Sequence, residues 1–201
     1  MHANYSQAAL NLLKEKGVVR ARELAFLGVK GATLQQLLQK GCLVRIERGL
    51  YALASRSSSG LDELALLAIK YKDKGLVFCL LTALQVHGLT TQSPHEVWVA
   101  IGQKSRSPKI AYPPLRILRM GAIDYGTTLI KVDGSTQIPV TNIAKTIADC
   151  FKFRNKIGLD VALEALKEAW QQKRVTMDEL WVAAEHCRVT NVIRPYLESL
   201  V

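Results

Sequence analysis

Three short helical segments run directly into two short apolar runs around a glycine turn, and this order constrains the chain more than any other feature. Leu10, Leu12 and Leu13 fall in a first helical segment. Residues 21–27 predict a second helix, Gly28-Val29 a turn and residues 31–40 a third helix. Residues 43–53 then read as two strands around Gly49. Three helices followed by a two-stranded wing is the winged helix-turn-helix layout, a module that commonly reads duplex DNA.

Helix phasing turns that layout into candidate contacts. On the third helix Leu34, Leu37 and Leu38 share one face and are expected in the core, leaving Thr33, Gln35, Gln36, Gln39 and Lys40 on the other. A glutamine amide both donates and accepts, which matches the adenine edge in the major groove. Any exposed helix face is polar, however, and glutamine is also a good helix former. The wing adds Arg45 and Arg48 near its tip and Arg56 just beyond it, placed for phosphates or a narrow minor groove. Glu47 dilutes that charge. Arg20 and Arg22, at the start of the second helix, are candidate phosphate clamps, and Tyr51 is expected half-buried against the third helix.

Charge placement agrees with that partner. The 201-residue chain carries a formal net charge of +10, with nine Lys/Arg against three Asp/Glu in residues 1–60. Residues 61–140 hold nine against six, and residues 141–201 nine against eight. The excess therefore sits on the segment with the DNA-binding pattern. Cys42, Cys79, Cys150 and Cys187 form no CxxC pair and are expected as reduced core residues. The opening residues have neither a basic nor an apolar leader pattern, and the uncharged run from Gly75 to His95 contains Gln85, His87, Gln92 and Pro94. The expectation is a cytoplasmic protein with no membrane partner.

The Ser57–Gly60 run predicts a linker that divides a winged helix-turn-helix domain (residues 1–56) from a larger domain (residues 61–201). After it, Leu61, Leu64, Ala65, Leu67 and Ala68 recur at helical spacing. Residues 76–80 suggest a buried strand, and residues 82–87 a helix closed by Gly88. Val97, Val99 and Ile101 alternate with Glu96, Trp98 and Ala100 as in a strand. Pro113-Pro114 introduces a strand over 115–120, and residues 127–132 with 137–140 flank an Asp133-Gly134 turn. The last third predicts helices: one capped by Thr141, one with Leu159, Ala162, Leu163, Leu166 and Trp170 on a face, one opened by a Thr176/Glu179 capping box, and one containing Pro195. The fold class is α+β: a winged helix-turn-helix, then an α/β part over 61–140, then a helical bundle over 141–201.

The second domain offers weaker candidates. Lys104, Arg106, Lys109, Arg116 and Arg119 form a basic string, either solvated surface or a second phosphate-contacting patch, with Arg116 best placed to be presented. Lys152, Arg154 and Lys156 favour a helix C-terminus. Thr141, Lys145 and Asp149 lie on one helical face, as a surface ion pair or as a polar contact strip. His87 is expected to bond the last carbonyls of its own helix. For catalysis, His2, His87, His95 and His186 lack metal-ligand spacing, and no glycine-rich phosphate loop or GxSxG occurs. Asp124 and Asp133 have no third carboxylate for magnesium. The reading is therefore not an enzyme, with no cofactor and no metal.

One resemblance covers nearly the whole chain. Arg48-Gly49-Leu50-Tyr51 in the wing is followed by Thr82-Ala83-Leu84, His87-Gly88-Leu89-Thr90, and Ile138-Pro139-Val140-Thr141-Asn142-Ile143-Ala144-Lys145-Thr146-Ile147-Ala148-Asp149. In this order the motifs resemble the AbiEi family of antitoxins and transcriptional regulators of bacterial type IV toxin–antitoxin systems. The resemblance implies a negative autoregulator that binds repeats in its own promoter through Arg20, Arg22, Lys40, Arg45 and Arg48. It also implies a C-terminal antitoxin domain opposing a nucleotidyltransferase-like toxin without a stable complex. The alternatives are a nucleic-acid-targeted enzyme or RNA-binding factor using the second domain, and a protein-interaction module with a degenerate winged helix.

Overall fold

The computed structural model describes residues 2–29, 31–55, 61–72, 75–108, 110, 113–121, 123–132 and 136–200. The chain forms two compact units, one of residues 1–72 with 130–138 and one of residues 73–129 with 139–201. The expected linker over 57–60 and the Asp133-Gly134 turn lie outside the described residues, as do Arg56 and Lys109.

The N-terminal unit opens with α1 (His2–Lys16), β1 (Val18–Arg20), α2 (Ala21–Phe26) and α3 (Gly31–Gln39). The wing is β2 (Leu43–Glu47) and β3 (Leu50–Leu53), followed by α4 (Asp62–Lys70). Its sheet has the order β1-β3-β2, antiparallel throughout, with Val18 opposite Ala52 and Val44 also opposite Ala52. The three-residue β1 escaped the sequence reading, because two valines and an arginine are too short a run to show a period. Alternation along these strands serves two layers. Val19, Leu43 and Tyr51 join Ala9, Leu13, Leu24, Val29 and Leu37 under the helices. Val18, Leu50 and Ala52 turn the other way and pack with Leu66 and Ile69 of α4.

The second unit is built on a sheet of order β6-β5-β4-β8-β7, comprising β4 (Val77–Phe78), β5 (Val97–Gly102), β6 (Leu115–Met120), β7 (Thr127–Val132) and β8 (Thr136–Thr141). It is mixed: β4 runs antiparallel to β5 and parallel to β8, and β5 runs parallel to β6. Residues 130–138 of the β7/β8 pair count with the N-terminal unit, where the Thr136 hydroxyl donates to the Lys16 carbonyl at 2.8 Å. The alternation read in residues 96–101 hides a strand buried on both faces. Trp98 and Ala100 belong to the helical core, yet Val99 and Ile101 are buried too. Central strands of mixed sheets read this way because both sides are covered.

Helices α5 (Leu80–His87), α6 (Ile143–Lys152), α7 (Arg154–Ile157), α8 (Leu159–Gln171), α9 (Met177–Cys187) and α10 (Thr190–Glu198) complete the unit. Their core gathers Ile147, Phe151, Val161, Leu166, Leu180, Ile193 and Leu197. The capping box is present: Thr176 Oγ1 accepts from the Glu179 N–H at 3.2 Å, and Glu179 Oε2 accepts from the Thr176 N–H at 2.8 Å. Asn142, rather than the expected Thr141, caps α6, its Oδ1 accepting from the Lys145 N–H at 2.9 Å. Thr141 instead ends β8, since the chain must leave the sheet before it can turn into the helix. Pro195 sits inside α10 at an exposed position, where the carbonyl it leaves unpaired can be hydrated.

Candidate nucleic-acid interface

The polar side of α3 is assembled by its leucines. Leu37 is buried, and Leu34 and Leu38 pack on the same core, which fixes the rotation of the helix about its axis. That rotation leaves Gln35, Gln36, Gln39 and Lys40 exposed and Thr33 half-buried. Gln35, Gln36 and Gln39 keep amides able to donate and accept toward a base edge. The turn before the helix is closed by the Val29 N–H donating to the Leu24 carbonyl at 3.0 Å, and it holds α2 and α3 in place as a pair.

Arg45 and Arg48 are exposed on the wing. A register shift between Arg45 and Glu47 bends β2 ahead of the turn, where Gly49 takes a φ of +82°. Tyr51 is buried in the core that also holds Leu37 of α3, rather than half-buried as expected.

The two arginines at the start of α2 separate. Arg22 is exposed. Arg20 directs its guanidinium to the Ile69 carbonyl at the end of α4, while its backbone N–H donates to Glu23 Oε2 at 3.0 Å. Lys16 meets the other oxygen of Glu23 at 2.8 Å. Burial pushes the Glu23 carboxyl up, but the Lys16 ammonium and the Arg20 N–H outweigh it and hold it below the ordinary value. Arg20 thus ties α2 to α4. The sequence showed its charge and not its carbonyl partner, which is far away along the chain.

Phe26 went unremarked in the sequence, and its side chain is 90% exposed at the end of α2. Its neighbour Leu24 is fully buried, so two residues later the helix faces outward.

The described members of the basic string in the second unit make different local contacts. Arg119 is drawn into the loop after β5, its Nη1 donating to the carbonyls of Gln103 at 2.9 Å and Ser105 at 2.8 Å. Arg116 stands exposed, 3.9 Å from Glu96 and over the ring of Trp98 at 5.6 Å. Lys104 and Arg106 are exposed on the loop that Arg119 orders. Arg154 Nη1 donates to the Phe151 carbonyl at 2.9 Å, closing the end of α6.

The polar strip on α6 overturns its expected surface placement. Lys145 Nζ and Asp149 Oδ2 lie 2.6 Å apart, with side chains only 5% and 2% exposed. The Cys187 thiol donates to Asp149 Oδ1 at 3.3 Å, and burial beside that carboxylate pushes its pKa up to about 12. His87 reaches across to the Thr141 carbonyl at 2.7 Å rather than to its own helix. The carbonyl can only accept, so Nε2 donates, and burial lowers the pKa of the ring. Among the described residues no group of three or more His, Cys, Asp or Glu is arranged to hold a metal, and no helix is long and apolar enough to cross a membrane.

Comparison with known proteins bears on the N-terminal unit first. Residues 7–54 match the family model described as transcriptional regulator, AbiEi antitoxin. That match begins within α1 and ends just past β3, so it includes α2, α3 with its glutamine face and both wing arginines. A solved structure, the RV2827C protein from Mycobacterium tuberculosis, is similar over 98% of this chain and 80% of its own, with a TM-score of 0.53 at 12% identity. The mixed α+β fold described above is therefore shared well beyond residues 7–54. No curated protein matches the sequence.

Proposed function

We propose that this chain is a DNA-binding repressor that autoregulates its own operon, acting as the antitoxin of a type IV toxin–antitoxin pair in the bacterial cytoplasm. The observation that carries the reading is the exposed Gln35/Gln36/Gln39/Lys40 face of α3, flanked by Arg45 and Arg48, inside the residues that match the AbiEi family model. A helix of this kind enters the major groove while wing cations meet the backbone. Thr33 and Arg22 extend the footprint along the same elements. Lys104, Arg106 and Arg116 are a second surface available to phosphates.

The functional partner is a nucleotidyltransferase-like toxin, opposed without a stable complex, and catalysis forms no part of the role. A gel shift with the native upstream duplex tests the proposal. The expected result is nanomolar-range binding to repeated sites, weakening steeply with salt, and no magnesium-dependent turnover of the DNA. Equal affinity for the upstream region and for unrelated duplex would remove the repressor reading. Absence of binding at low salt would remove the DNA-binding one.

A further inference from the structure

We propose that a cavity in the C-terminal unit, floored by the Lys145–Asp149 pair, binds a phosphate monoester such as that of a nucleoside 5′-monophosphate. The cavity has a volume of about 300 Å³, at the small end of ligand sites. Lys145, Lys152 and Arg188 line it, and Asp149 is the one carboxylate among its lining residues. Two positive charges are left over. A phosphate monoester carries roughly −1.5 to −2 near neutral pH, whereas a backbone diester carries a single charge.

Lys145 is held ready for such a guest. Its ammonium has three N–H donors, and the bond to Asp149 is the only one it makes among the described residues. The carboxylate is itself engaged twice, by Lys145 and by the Cys187 thiol. The lysine stem is fixed by the backbone at Gly126, where φ is +63° and an added Cβ would stand 2.8 Å from Lys145 Cδ and 2.9 Å from its Cβ. A buried ammonium with donors to spare, facing a cavity of surplus positive charge, favours an acceptor-only anion. Because the stem is already ordered, little conformational freedom is lost on binding.

The cavity wall supplies a second element. Tyr125 and His186 stack at 3.7 Å between ring centroids with an interplanar angle of 22°, and both line the cavity. This aromatic pair beside the cations is suited to the sugar or base attached to the phosphate. Lys152 ends α6 and Arg188 closes α9, so two helix termini bring their cations to the same cavity. The inference stands independently of DNA binding by the N-terminal unit.

Calorimetric titration of the full chain at low ionic strength, with adenosine 5′-monophosphate, inorganic phosphate and adenosine as probes, tests it. The expected result is saturable binding of the monophosphate, competition by inorganic phosphate, and none by adenosine. The double variant Lys152→Gln/Arg188→Asn removes two exposed cations, and asparagine suits the left-handed backbone at position 188 (φ +58°). It is expected to weaken monophosphate binding about tenfold or more with an unchanged melting temperature. Lys145→Met is expected to abolish binding, and the double variant keeps the test decisive should Lys145→Met not fold.

Three outcomes overturn the proposal: no saturable binding of either phosphate probe below about 1 mM, adenosine binding as tightly as its monophosphate, or unchanged affinity in the double variant. A double variant that loses affinity for duplex DNA, in a chain that never bound the monophosphate, would assign these cations to backbone diesters instead.

Discussion

Helices α3 and α6 carry polar strips of the same periodicity and use them in opposite ways. On α3 the strip is Gln35, Gln36, Gln39 and Lys40, and it faces solvent. On α6 it includes Lys145, Thr146 and Asp149, all enclosed. The difference lies in what each helix packs against. One side of α3 meets the small core of the N-terminal unit, so its other side is left to water. Helix α6 lies among helical neighbours and contributes Ala144, Ile147, Ala148, Cys150 and Phe151 to a larger core. Spacing sets which residues share a face, and the number of neighbours sets whether that face is wet.

Breaking the enclosed strip should have the largest effect. Asp149→Ala leaves the Lys145 ammonium without its carboxylate, at an expected cost of about 3–5 kcal/mol in unfolding free energy. Chemical denaturation measures it, and a variant as stable as the parent chain would mean that the pair is hydrated. The exposed strip should respond differently. Gln36→Ala is expected to leave stability within about 0.5 kcal/mol while costing about 1–3 kcal/mol of discrimination at one base pair. Titrations against the operator and its point variants read this, and a uniform loss over all sequences would move Gln36 to the backbone.

Arg48→Ala sharpens the contrast on the wing. It should weaken binding to every sequence and make the slope of log affinity against log salt shallower by about one. An unchanged slope would take the wing off the phosphates.

The smallest effect concerns the start of the enclosed strip, where His87 meets the Thr141 carbonyl. Burial holds the folded-state pKa of His87 below its ordinary 6.5. On acidification the unfolded chain therefore takes up this proton first. The stabilisation is complete above about pH 6.5 and is lost as pH falls toward the folded-state value. Thermal unfolding between pH 7.5 and 5 should show that decline, flattened in His87→Gln. An equally steep profile in the variant would assign the decline to other groups.

Much of the fold was legible where a signal is local. The Thr176/Glu179 box, the strands over 115–120 and 127–132, and the leucine face of α3 depend on residues a few positions apart. β1 was not legible, because its pairing with β3 joins Val18 to Ala52, and neither segment announces the other. Arg20 illustrates the same limit within the candidate interface. Its charge suggested a phosphate clamp, and its contact with the Ile69 carbonyl, 49 residues away along the chain, carried no signal in the sequence. Phe26 could have been found by extending the helix phase from Leu24, which turns position 26 outward. The stacked Tyr125 and His186 had no signal at all, since they come from a loop and a helix distant in sequence.

The sequence by itself determined the order of helices and wing, the glutamine face and the concentration of positive charge in the first 60 residues. These follow from periodicity, turn chemistry and composition, which act over one or two turns of chain. The tertiary structure alone decided which polar groups are desolvated. Lys145, Asp149 and Cys187 form a buried cluster only because α6 and α9 pack together, and burial depends on neighbours contributed by distant segments.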